Sequence, residues 1–334
     1  MKPKTNTSIR PTGWFLFKQL IHLRRFAFTV FLPLMGAATA LEKPTGFQII
    51  TIVAAAWFFH VFTYVLNDVI DLPVDRLMPK RAMHPLVRGD MSRSTALTIA
   101  LGAIPISFLM TLPGGGSPYR FAVLGAAIIC MAIYDIWGKR FIFPPVTDLI
   151  QAISWGCLTL FGALSVGTPG FLTWVLALIF AVFIMLMNGV FEGVIDLNGD
   201  SAANLKTTAI VFGVRQVKDS NVLFIPITLV GYGIILEALL TILNMLPLIR
   251  NDFGYAAQTR LVILAIVISL NVLIVFYSLR FVSPWLKWRK PIKDEHIDVM
   301  SALSVLIMLV SYALYVGPLL LSSILIVTIL PFIL

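Results

Sequence analysis

The stretch NDVIDLPVDRLMPKRAMHPLVRG, Asn67 to Gly89, follows a long apolar run from Thr51 to Leu66, and polarity switches abruptly at the junction. Asp68, Asp71 and Asp75 fall at steps of three and four, which on a helix puts all three carboxylates on one face. Lys80, Arg81, His84 and Arg88 come soon after. Two carboxylates about 6 Å apart repel by roughly 3 kcal/mol at an effective dielectric of about 20, so the row calls for cations or a bound metal. Oxygen-only ligands select Mg2+ or Ca2+ over softer ions, and Mg2+ is usually held by one or two carboxylates plus substrate phosphate oxygens. The row reads as a Mg2+–phosphate site at a membrane surface.

The rest of the chain supplies the membrane. Of its 334 residues 59% are hydrophobic and only 12% charged, well outside the range of soluble domains. The net charge of +9 does not point to nucleic acid, because the basic residues sit between apolar runs, where membrane orientation requires them. Residues 1–26 form a basic amphipathic segment with no cleavable signal peptide. Cys130 and Cys157 lie within apolar runs, far apart in sequence, and read as core residues rather than a disulfide or zinc pair.

A helical span needs about 20 mostly apolar residues. Runs near 27–41, 47–66, 94–112, 119–137, 147–166, 170–191, 221–243, 260–282 and 300–316 meet that need, and an apolar tail follows over 318–334. With the N-terminus placed in the cytoplasm, 21 of the 25 Lys and Arg residues fall on the cytoplasmic side; only Lys43, Arg120, Arg250 and Arg260 fall opposite. The expectation is an all-α integral membrane protein, a single domain of nine transmembrane helices. Its loops 67–93 and 192–220 are expected to be cytoplasmic.

The second of those loops repeats the theme of the first. Glu192, Asp196 and Asp200 fall at steps of four at the end of a span on the same side, followed by Lys206, Arg215 and Lys218. Ionisable groups at the edge of a bilayer are costly to bury, and two such rows on one side point to function more strongly than either alone. Two acid rows with lysines and arginines behind them suit a metal-held diphosphate. An isoprenoid on that diphosphate would leave a carbocation, which aromatic faces stabilise.

These residues resemble the signatures of the UbiA superfamily of intramembrane prenyltransferases. Asn67-Asp68-x-x-Asp71-x-x-x-Asp75 followed by His84-Pro85-Leu86 and Gly89 matches the first signature, and Asp196-x-x-x-Asp200 with Lys206-Thr207-Thr208-Ala209-Ile210 and Gly213 the second. Tyr134 with Lys139-Arg140 is similar to the family's Tyr…Lys element at the end of the fourth span. The resemblance implies a nine-helix bundle around a central cavity open laterally to lipid, where two Mg2+ bind an isoprenyl diphosphate. On that reading Asp68, Asp71 and Asp75 serve one Mg2+, with Asn67 serving or orienting that site; Asp196 and Asp200 serve the other, and Glu192 is a possible third ligand there. Lys139 and Lys206 would contact diphosphate directly, and Lys80, Arg88, Tyr134 and Arg140 would line the substrate site.

The chain departs from the pattern in places. The family's Arg before the Pro is His84 here, so its contact with diphosphate or its bridge to an acid is weaker or pH-dependent. Lys139 follows Tyr134 by five residues rather than four. Pro73, inside the first row, is expected to kink or end the helix and could turn Asp75 off the face of its neighbours. Asp135 and Asp148 flank a short basic loop and read as salt-bridge partners, and Glu237 as a buried acid pairing between helices or facing the cavity. Asn188 and Asn271 read as hydrogen bonds between helices.

The function these residues favour is Mg2+-dependent transfer of an isoprenyl group from an isoprenyl diphosphate to a hydrophobic aromatic or quinone-like acceptor. A terpene cyclase would use the same ionisation without an acceptor. A cation transporter fits less well, because its charges belong near mid-membrane on broken helices.

Overall fold

Lipid offers no hydrogen-bond partner to backbone groups, so each apolar run satisfies its own as a helix. The computed structural model describes residues 13–78, 81–216 and 223–282, with scattered residues between 303 and 326. Lys80, residues 1–12, seven residues of 300–316 and most of 318–334 lie outside the described residues. A short helix α1 (Gly13–Leu20) turns into α2 (Leu23–Ala38), and α3 (Gly46–Asp75) carries the first acid row at its end. A short α4 (Pro85–Arg88) leads to the long helices α5 (Arg93–Thr111), α6 (Tyr119–Trp137), α7 (Pro144–Val166) and α8 (Phe171–Leu186). A π-helical turn (Met187–Glu192) and the short helices α9 (Gly193–Ile195), α10 (Leu197–Ala202) and α11 (Thr208–Val211) form the second acid loop. A two-residue antiparallel pair, Arg215–Gln216 with Leu223–Phe224, precedes α12 (Ile227–Arg250) and α13 (Ala257–Val282).

Among the described residues seven helices are long and apolar enough to cross a membrane, or eight if the bent α1–α2 pair counts as one span. The expected count of nine is not reached among the described residues, where the ninth run, 300–316, is interrupted by residues outside the description. Within that run Tyr312 is fully buried, its ring 4.9 Å from that of Phe253.

Local chemistry sets the helix ends. Thr45 and Gln48 form a capping box at the start of α3, and Ser92 accepts from Thr95 N at the start of α5. α3 runs through Pro73 to Asp75, contrary to the expected break. Proline removes one backbone donor, and the helix ends two residues later, so few turns are left for it to distort.

Packing brings the acid-bearing ends together. α3 lies against α5 and α2, α6 against α7, α7 against α8 and α2, and α12 against α8 and α13. The α2–α7 crossing is the tightest: a Cβ on Gly36 would overlap the carbonyl of Thr159, and one on Gly162 that of Pro33. Small residues let helix backbones approach this closely where lipid supplies no hydrophobic drive for association. Phe59, Phe62, Phe161 and Phe180 fill the fully buried centre.

Candidate active site

The two acid rows meet at one cavity of about 390 Å3. From α3 it is lined by Asn67, Asp71 and Asp75, and from the second loop by Glu192, Asp196 and Asp200. Lys139, in the α6–α7 connection, reaches both rows: its Nζ donates to Asp71 Oδ2 at 3.0 Å and lies 3.6 Å from an Asp200 oxygen. The loops also touch directly, for a Cβ on Gly199 would run into Met78. Lys206 lines the cavity, and its backbone N–H donates to Lys139 C=O at 3.0 Å, tying the second loop to the α6–α7 connection.

The second row is not one straight helix. A π-turn ends at Glu192 and the helical geometry breaks at Asp196, yet Asp196 N–H donates to Glu192 C=O and Asp200 N–H to Asp196 C=O, both at 2.9 Å. The step of four thus survives the irregularity; π-turns inside helices are frequent at functional sites. Thr207 caps α11 by accepting from Ile210 N, Thr208 Oγ1 donates to Asp148, and Gly213 holds φ 96. In the first loop Pro85 opens α4 and Gly89, at φ 83, closes it, a left-handed position that suits glycine.

Asp68 does not join its row at the cavity. At about 100° per residue, Asn67, Asp71, Asp75 and Asp68 span an arc of about 100° with Asp68 at its edge. There it is buried against other groups: its Oδ2 lies 2.9 Å from His22 Nε2 and 3.1 Å from His84 Nε2, and its Oδ1 lies 3.7 Å from Arg81. Arg81 also lies 3.5 Å from Asp75 and itself lines the cavity. The cavity face of α3 is therefore Asn67, Asp71 and Asp75 rather than the three aspartates.

Other expected site residues divide. Tyr134 lines the cavity. His84 is buried beside Asp68, away from the cavity. Arg88 pairs with Asp90 at 2.7 Å on the surface, and Arg140 lines a neighbouring space of about 260 Å3 rather than the main cavity. Asp135 and Asp148 make no salt bridge among the described residues, contrary to expectation: both line the cavity, where Asp135 accepts from Asn67 Nδ2 at 3.3 Å and Asp148 from Thr208. Asn188 lines the cavity, while Asn271 hydrogen-bonds to Thr241 across α12–α13. Glu237 is buried outside the cavity.

Charge at the mouth is balanced by neighbours. Burial opposes the Lys139 ammonium, but Asp71, Asp200 and Asp196 more than offset it and hold its pKa above the ordinary lysine value. Burial raises the pKa of Asp200, against the pull of Lys139.

Sequence reasoning missed Arg25, Tyr64, Gln151 and Trp155, all on the cavity wall. Arg25 counted only as a topology charge, although its guanidinium sits 5.7 Å from the Tyr64 ring centre. Gln151 and Trp155 carried no signal beyond being polar or aromatic in an apolar run. Thr63 Oγ1, Asp135 Oδ2, Gln151 Oε1 and Trp155 Nε1 are buried on this wall with no hydrogen-bond partner among the described residues. Buried polar atoms are almost always satisfied, so these four are fitted for a ligand or water.

Residues 27–284 match the model of the UbiA prenyltransferase family. The digeranylgeranylglyceryl phosphate synthase of Thermococcus sibiricus is 31% identical over 171 residues, 50% of this chain and 57% of that protein. The 4-hydroxybenzoate octaprenyltransferase of Burkholderia mallei is 30% identical over 152 residues, 46% of this chain and 51% of that protein. The chain thus spans about half the length of these relatives. Among solved structures, a UbiA homologue from Archaeoglobus fulgidus bound to GPP and Mg2+ has the same fold, with a TM-score of 0.63, 18% identity, and 89% of this chain and 99% of that one covered. On the family match across most of its length, the chain belongs to the UbiA prenyltransferase family.

Proposed function

We propose that this chain is an intramembrane prenyltransferase that moves an isoprenyl group from an isoprenyl diphosphate to an acceptor held in the same cavity, with Mg2+ as its cofactor. The observation that carries the reading is Lys139, a single ammonium within reach of carboxylates from both acid rows. A space that one lysine bridges suits one diphosphate. Asn67, Asp71 and Asp75 on one wall and Glu192, Asp196 and Asp200 on the other are the oxygen donors that would hold Mg2+, and the all-oxygen set fits that ion. Bound there, the metal supplies charge neutralisation for the departing diphosphate.

The remaining residues have distinct tasks. Lys139, Lys206, Arg25 and Arg81 are cations placed to hold phosphate oxygens. As the C–O bond breaks, its electron pair leaves with the diphosphate, and the allylic cation left behind faces Phe28, Tyr64, Tyr134 and Trp155. An acceptor atom then forms the new bond and gives up a proton. Asp68 lies off the cavity and is not among the donors placed to hold Mg2+ there.

The unsatisfied wall atoms on Thr63, Asp135, Gln151 and Trp155 favour transfer over cyclisation, because a hydrocarbon chain offers them no hydrogen bonds. An aromatic or quinone-like acceptor with ring oxygens fits that wall, and the relative named for 4-hydroxybenzoate supports it. A polar lipid acceptor is the second reading, supported by the relative named for digeranylgeranylglyceryl phosphate. The basic residues around the N-terminus and both acid loops support a cytoplasmic position for them.

The test is incubation of the purified full chain with Mg2+ and geranyl, farnesyl or geranylgeranyl diphosphate, with and without 4-hydroxybenzoate or a glyceryl phosphate lipid. Diphosphate release that needs an acceptor supports transfer. A cyclic hydrocarbon formed without one means a cyclase, and no turnover of any of the three diphosphates under any condition would remove the reading.

A further inference from the structure

We propose that His22, Asp68 and His84 form a second metal site, of the Zn2+ class and separate from the acid-lined cavity. One ring nitrogen of His22, one of His84 and an Asp68 oxygen all lie within 4.8 Å of one another. Both Nε2 atoms approach the same carboxylate oxygen, Asp68 Oδ2, at 2.9 Å from His22 and 3.1 Å from His84. Ligand atoms at about 2.05 Å in a tetrahedral zinc site are about 3.3 Å apart, so small shifts bring these three onto one ion. None of the three residues lines the cavity where the acid rows meet.

The donor set separates this site from the first. Two imidazoles and one carboxylate suit Zn2+ and its first-row neighbours, whereas Mg2+ prefers oxygen alone. Three protein ligands also leave a fourth position for water, an arrangement zinc accepts.

The histidine–carboxylate contacts alone leave polar atoms poorly matched. His84 is 3% exposed; its Nε2, 3.1 Å from Asp68 Oδ2, falls outside hydrogen-bond geometry, its Nδ1 has no partner among the described residues, and Asp68 Oδ1 meets only Arg81, at 3.7 Å. A coordinated ion would take up the Nε2 lone pair.

The surroundings hold these side chains in place in advance. His22 occupies the left-handed region, φ 49 and ψ 48, at the bend between α1 and α2; a non-glycine residue stays there only when its surroundings enforce it. His60, from within α3, anchors the bend through Nε2, 2.7 Å from Ile21 C=O, and the His22 ring stacks on Tyr64 at 5.2 Å. His84 is fixed at the start of α4 by the following Pro85. Arg81 stands behind the other Asp68 oxygen, as outer-shell groups do around ligating carboxylates, and its charge weakens a dication there. An ion at this point would pin the N-terminal bend and the 81–88 loop to α3, one residue from Asn67. The matching position in the family signature holds Arg, so the site belongs to this chain's own sequence.

The test uses the full chain purified in detergent, stripped with chelator, then equilibrated with Zn2+ in excess Mg2+ and freed of unbound metal. Metal content is read by mass spectrometry, and binding of Co2+ by visible absorption. The expected result is one Zn2+ per chain, a tetrahedral Co2+ spectrum displaced by Zn2+, and a rise in Tm with Zn2+. His84→Arg, which can pair with Asp68 and so keeps the fold, and His22→Gln should each lower the affinity by more than about tenfold and abolish the Tm shift. Asp71→Asn should leave Zn2+ binding unchanged while removing Mg2+-dependent transfer. Wild-type protein that retains no Zn2+, or His84→Arg that retains it undiminished, overturns the site whatever the transfer activity. Wild-type protein that binds Zn2+ but transfers no isoprenyl group would count against the prenyltransferase reading alone.

Discussion

Replacing Lys139 by Met removes a cation that touches both acid rows, and the two consequences should have opposite signs. Separations of 3.0 and 3.6 Å correspond to roughly 5 kcal/mol each at an effective dielectric of about 20. The ammonium is 29% exposed, and solvent screening leaves a net interaction of about 1–2 kcal/mol. Without it the acid rows keep their mutual repulsion and bind a dication more tightly, by about 5- to 30-fold in Mg2+ midpoint. Transfer moves the other way. A lost charge-assisted hydrogen bond to the leaving diphosphate, worth about 1.5–3 kcal/mol, lowers kcat/KM by about 10- to 150-fold. Lys139→Arg keeps the charge and should shift neither quantity by more than about threefold. The raised lysine pKa adds a pH signature. The bridge contributes fully below the ordinary lysine value of about 10.4 and is lost only as pH rises through the higher folded value. The stability difference between wild type and Lys139→Met, measured by thermal unfolding without metal, should therefore not decline between pH 7 and about 10. The assay is conversion of a labelled allylic diphosphate in nanodiscs across a Mg2+ titration. Unchanged turnover together with an unchanged Mg2+ midpoint would refute the shared-cavity reasoning.

Three further outcomes are expected. Asp71→Asn and Asp196→Asn should each cost about 3–4 kcal/mol of transition-state stabilisation, roughly 10²–10³ in kcat/KM, with Tm preserved; chelator should abolish wild-type transfer and Mg2+, but not Na+, restore it. Gln151→Leu should raise the KM for acceptor by about tenfold, a loss of about 1.4 kcal/mol, without changing the KM for the diphosphate; equal effects on both would remove the acceptor-wall assignment. Gly36→Leu should destabilise the chain by about 1–3 kcal/mol or more through the overlap with Thr159. Gly102→Leu, with open space at its Cβ, should be neutral or stabilising, and thermal unfolding in detergent separates the two.

Much of the fold was legible in the chain because the bilayer makes hydropathy decisive: spans near 47–66, 119–137, 147–166 and 260–282 appear as helices with ends displaced by a few residues up to nine. Both acid rows were legible for the same reason, as charges at the end of apolar runs. The order within the first row was not. A step of three or four places residues on a common face but leaves open which edge of that face meets a neighbour, so Asp68 was grouped with residues that line a cavity it does not reach. Asp135 and Asp148 were misread because a nearby basic loop suggested ion pairs, whereas the helix packing turns both inward.

By itself the sequence determined an α-helical membrane protein with two acid rows separated by more than 100 residues, and a chemistry that requires them to meet. Tertiary structure alone decided that Lys139 bridges them, that Arg25, Gln151 and Trp155 share their cavity, and that His22 and His84 take Asp68 from it. Helical periodicity orders residues a few positions apart along one helix. The ion pairs and hydrogen bonds among these contacts join residues 16 to 68 positions apart, and only the packing of whole elements selects which faces come together.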